Sequence, residues 1–171
     1  MRITAISAAA GAVAVAGLSA TGVAGAMPGD HPGYDQYCTP GQVDVSLSPP
    51  DSAMGKSGGE VRFRAKPGTT CLLGGAPVLT FRDASGQRLD IPGQYPTDRG
   101  EQVVVDDQHQ AVSSYSFPRV DGRTGDQLRG PVPESVTVAL PVPGNGTTVQ
   151  LPWENHVEVP GPVDVNPVLS R

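Results

Sequence analysis

Two stretches, Gln42-Val43-Asp44-Val45-Ser46-Leu47 and Glu60-Val61-Arg62-Phe63-Arg64-Ala65, decide the fold. In each, apolar and polar residues alternate one for one. A strand projects successive side chains to opposite faces, so a period of two marks a ribbon with one buried face. Residues 49–59 between them are rich in Pro, Ser and Gly, which is turn chemistry, and Gly55-Lys56-Ser57-Gly58-Gly59 reads as a flexible connector. Further short runs follow at 78–81, 87–89, 101–106, 111–117, 135–140, 147–150 and 163–168. They are separated by Asp83-Ala84-Ser85-Gly86, Asp121-Gly122, Pro143-Gly144-Asn145-Gly146 and Pro160-Gly161-Pro162. Short strands punctuated in this way predict an all-β chain, an antiparallel β-sandwich of about 7–9 strands. Its expected core is Val43, Val45, Leu47, Val61, Phe63, Leu79, Phe81, Val103, Val105, Tyr115, Phe117, Val136, Val138 and Leu140. Residues 118–134, polar and Gly-rich, are the expected long surface loop.

Composition agrees with this reading. Among 171 residues there are 22 Gly and 18 Pro, both breakers of helix interiors, which argues against a bundle or coiled coil. Twelve basic residues face 17 acidic ones, a net charge of −5, and no basic cluster exists. Nucleic acid and anionic membrane surfaces are therefore poor partners. Residues 1–26 carry one charge, Arg2, followed by a small-residue apolar stretch and Ala24-Gly25-Ala26. That order is a secretory signal with its cut between Ala26 and Met27. The alternative is an uncleaved N-terminal membrane anchor; the Ala- and Gly-rich stretch is weakly apolar for that role. Residues 27–37 read as a flexible lead-in and 38–171 as one sandwich domain, with no membrane span in the mature chain.

The only cysteines are Cys38 and Cys71. In an exported chain an even count favours a disulfide. A metal pair or redox pair would need ligand spacing or C-x-x-C, and neither is present.

Motifs that carry chemistry are weak. Gly55-Lys56-Ser57-Gly58-Gly59 fits both G-x-S-x-G and part of a phosphate loop, but the strand pattern after it lacks the helix that a nucleophile elbow needs, and Pro50 stands where the first Gly of a phosphate loop should be. His31, His109 and His156 are widely spaced. A hydrolase set of Ser113 or Ser114 with His109 and Asp106 rests on composition alone, as does metal carriage by Met54 and the histidines. Asp106-Asp107, and Asp121 with Asp126, offer oxygen ligands for calcium without an EF-hand order. Trp153 reads as core rather than as a ligand platform. Asn145-Gly146-Thr147 reads as a hairpin turn before a glycosylation site.

From Cys71-x-Leu73-x-Gly75-x-Pro77 through an apolar strand to Asp83-Ala84-Ser85-Gly86, the chain resembles domain of unknown function 4232, a family of secreted actinobacterial proteins. Cys38-Thr39-Pro40 matches the family's cysteine ahead of its first strand, and Val163, Val165 and Pro167 match its C-terminal Val-x-Val-x-Pro. The resemblance spans residues 38–169. Ala76 stands where relatives carry an aromatic, Lys66-Pro67-Gly68 replaces an Asn-Thr-Gly turn, and a second cysteine pair is missing. The resemblance implies an immunoglobulin-like sandwich with no catalytic residues and no cofactor. The expected function is thus a secreted, non-catalytic module that binds a cell-envelope protein or polysaccharide through an apolar patch or open strand edge.

Overall fold

The computed structural model describes residues 36–98, 100–144 and 147–171. The leader, its Ala26-Met27 cut, His31 and the Asn145-Gly146 turn lie outside the described residues. The two deciding stretches pair with each other. β1 (Val43–Leu47) runs antiparallel to the second half of β3 (Lys56–Ala65), with Val43 opposite Ala65 and Leu47 opposite Val61. β2 (Asp51–Ala53) folds back on the start of β3. The other edge of β3 pairs with β8 (Ala111–Pro118), from Lys56 opposite Pro118 to Phe63 opposite Ala111. Beyond β8 lie β11 (Val163–Val165) and β12 (Leu169–Ser170), and β11 pairs in parallel with β6 (Gly93–Gln94).

The facing layer is built around β9 (Ser135–Ala139), which pairs with β10 (Thr148–Pro152) and with β5 (Val78–Arg82). β4 (Cys71–Gly74) precedes β5 and pairs with β7 (Gln102–Val105). The Gly74 N–H donates to the Pro141 carbonyl at 2.8 Å, joining β4 to the extension of β9. Gly75, at φ 106°, makes the bend between β4 and β5 that few other residues tolerate. The chain is all-β, and its layers form a sandwich.

Between the layers sits a core of Val61, Phe63, Leu73, Phe81, Val105, Tyr115, Phe117, Val136 and Val138, all buried. Trp153 is its centre, edge-on to Phe81 at 5.1 Å and tilted against Tyr115 and Phe117 at 5.9 and 6.3 Å. Its indole N–H donates to the Val157 carbonyl at 2.9 Å, so the polar atom is satisfied inside the core. Val45 and Leu47, expected in the core, pack against it half-buried, because β1 is the outer strand of its layer.

Two expectations are corrected. Gly55–Gly59 is no flexible connector: within 49–59, read as turn chemistry, β2 and the first part of β3 are joined by a turn through Met54 and Gly55 at φ 51° and 78°. Positive φ at both central residues gives a tight hairpin turn whose twist matches its strands. The run at 87–89 supplies only a bridge between Arg88 and Arg82 rather than a strand. Cys38 and Cys71 form a disulfide with sulfurs 2.10 Å apart. Tyr37, read as part of the lead-in, already bridges to Leu72.

Candidate interaction surface

β7 lies between Glu101 and Asp106, and after Gln102 it reads Val103-Val104-Val105. Val103 and Val105 face the core, so the pleat turns Val104 outward, 47% exposed. Which way the backbone of β7 points follows from β4. The Leu72 carbonyl accepts the Cys38 N–H at 3.0 Å and Gly74 donates to Pro141, so both residues direct their backbone groups away from β7. In an antiparallel ladder their partners, Val104 and Gln102, must then direct N–H and C=O away from β4. Among the described residues β7 is thus an open edge.

The neighbouring edge belongs to β12. Gln110 and Arg171 exchange two backbone hydrogen bonds, at 3.1 and 2.9 Å. By the same alternation Ser170 turns its backbone groups away from β8. Between the two edges runs a groove of about 700 Å³ whose lining includes Val103, Val104, Val168 and Leu169 together with Glu101, Asp106 and His109. Its volume lies in the range of ligand-holding clefts. Leu169 stands 70% exposed on the ridge between this groove and a second one of about 550 Å³.

Charge around the seam is organised. Asp106 Oδ1 accepts the Gln108 and His109 N–H groups at 2.9 and 2.7 Å and the His109 ring nitrogen at 3.0 Å. Those backbone donors, that of Gln108 first, hold its carboxyl below the usual 3.8, so it stays anionic at neutral pH. On the other side of Leu169, Glu60 accepts from Arg62 at 2.8 Å and from Arg171 at 2.8 Å. The Arg62 hydrogen bond leads in lowering the Glu60 carboxyl.

Of the hydrolase set, only His109 and Asp106 come together. The Ser113 hydroxyl is buried and donates to the Asn166 carbonyl at 2.6 Å, while Ser114 Oγ accepts from Asn166 Nδ2 at 2.8 Å. Met54 projects from the β2–β3 turn and His156 lies 3.9 Å from Glu134. Asp121 spends its carboxylate on the Arg123 and Thr124 N–H groups at 2.7 and 3.2 Å, and Asp126 shapes the same turn from its backbone. In Gly55–Gly59, Ser57 is buried against Ser52, with their hydroxyls 2.7 Å apart.

Val104 was legible as an outward valine once Val103 and Val105 were assigned inward. Leu169 had no signal, because the alternating pattern stops before it.

The model of domain of unknown function 4232 matches residues 38–169. The chain belongs to this family. The match runs from the first cysteine to β12, so the disulfide, both layers and the seam are parts of the family domain. Neither the curated proteins nor the solved structures contain a match.

Proposed function

We propose that this member of the family is an exported, non-catalytic binding module whose contact surface is the β7–β12 seam. The observation that carries the reading is the seam itself: two strand edges, open among the described residues, flank a groove lined in part by the exposed Val104 and Leu169. Unpaired edges and clustered exposed aliphatics are costly unless something covers them. A disulfide supports an extracytoplasmic setting. The buried Ser113 hydroxyl donates its hydrogen bond to the Asn166 main-chain carbonyl, which supports a role without a Ser113 nucleophile.

The test uses the protein recovered from culture fluid, whose intact mass should begin at Met27. It is cross-linked to an envelope fraction beside a Val104→Asp, Leu169→Asp double variant. Both positions are exposed, so the variant should keep the parent's melting curve and lose the cross-linked species. Equal cross-linking by both proteins would overturn the reading.

A further inference from the structure

Away from the seam, we infer that the cleft beside Tyr95 is a second binding site, one that takes a neutral saccharide with a sugar ring laid on the Tyr95 ring. The cleft, of about 370 Å³, lies where the β4–β5 bend, the extension of β9 and the residues after β6 meet. It shares no lining residue with the seam groove, and its volume suits a small molecule. Its walls are tied before any ligand arrives. Val78 of β5 pairs with Ala139 of β9, the Gly74 N–H donates to the Pro141 carbonyl at 2.8 Å, and the Gly75 carbonyl accepts the Val168 N–H at 2.9 Å.

Tyr95 is fixed in the same way. Its phenol end fills the space that a side chain at Gly93 would need: a Cβ there would stand 2.7 Å from Cζ and 2.8 Å from Cε2. The hydroxyl is turned toward the Leu79 backbone, and burial pushes it above its usual 10.0. The hydroxyl is thus the covered end of a residue that is 40% exposed, which leaves ring carbon for contact. A ring set in place beforehand loses little freedom when a ligand lands on it.

The surroundings select the ligand. Val78, 47% exposed, continues the apolar floor with Pro96 and Pro143. Asp98 Oδ1 accepts the Gly100 N–H at 3.0 Å, which leaves its second oxygen and the Thr147 hydroxyl unpaired among the described residues. A carboxylate only accepts, so the ligand must bring donors, and a polyproline segment brings none. The Arg88 charge reaches Tyr95 while Asp98 lines the cleft, so a cation and an anion each meet a like charge. A sugar ring meets every demand. Its C–H face lies against the negative face of the aromatic ring, its hydroxyls donate to the carboxylate, and it carries no net charge.

The experiment titrates the isotopically labelled protein with neutral tetrasaccharides of β-linked glucose, α-linked glucose, mannose and xylose. Choline and a capped heptaproline represent the competing chemistries. At least one tetrasaccharide should shift the amide resonances of Gly74, Val78 and Ala139, and the two competitors should leave them in place. Tyr95→Phe keeps the ring and should bind within about two-fold of the parent. Gly93→Ala, in the exposed strand β6, displaces the ring without removing it and should weaken binding at least about five-fold, as should Tyr95→Ala. Should Tyr95→Ala fail to fold, Gly93→Ala with a parental melting curve decides.

No shift with any saccharide, shifts with choline or heptaproline alone, or unchanged affinity in Gly93→Ala would each overturn the inference. The Val104→Asp, Leu169→Asp variant should keep saccharide binding whatever its cross-linking does, so the cleft and the seam fail separately.

Discussion

Gly58 shows how much one missing side chain can decide. It lies in β3 opposite Ser116, and a Cβ there would run into the Tyr115 carbonyl and come within 3.0 Å of the Ser116 Cβ. The strand pair can close only because nothing is present at that point. Gly58→Ala should destabilise the fold by about 1–3 kcal/mol through overpacking. Gly122→Ala, where a Cβ meets nothing within 4 Å, should stay within about 0.5 kcal/mol. Denaturant midpoints of the two variants check the contrast. The acidic turns act at the same scale. Asp83, Asp106 and Asp121 each accept two backbone N–H groups in their own turns, and each carboxyl is held below the usual 3.8. The stabilisation is present above the unfolded value near 4 and is lost as pH falls through the lower folded values. Carboxyl NMR titrations should give midpoints below 3.8 for all three, and thermal stability should fall below about pH 4.

At the scale of elements, legibility followed periodicity. β1 and the second half of β3 were readable because Val43 and Val45, and Val61 and Phe63, alternate with polar residues. The first half of β3 was not, because Gly58 and Gly59 carry no hydrophobic signal and strand propensity tables penalise them. Their reason is steric and emerges only when Tyr115 and Ser48 are in place. β4 was missed since Cys71-Leu72-Leu73-Gly74 has no alternation, yet Cys71 and Leu73 are buried and Leu72 and Gly74 are not. The contact edge was half legible: the phase of β7 implied an outward Val104, whereas Leu169 belongs to a two-residue strand with no pattern at all. The disulfide binds this region together. Cys71 pairs with Val105 of β7, so the bridge to Cys38 restrains the strand next to the open edge. Its 33-residue separation predicts about 3–4 kcal/mol from the restricted unfolded chain. Reduction, or the Cys38→Ala, Cys71→Ala double variant, should lower the denaturation free energy by that amount.

For the whole molecule, the placement of Trp153 has an experimental consequence. Phe81 reaches it from one layer and Tyr115 and Phe117 from the other, so a single indole is wedged where the two layers meet. As the chain's only tryptophan it is a built-in optical gauge of layer separation. Any event that parts the layers wets the ring and moves its emission to longer wavelength, with no label attached. A ligand that docks at the periphery and leaves the layers closed should leave that colour unchanged.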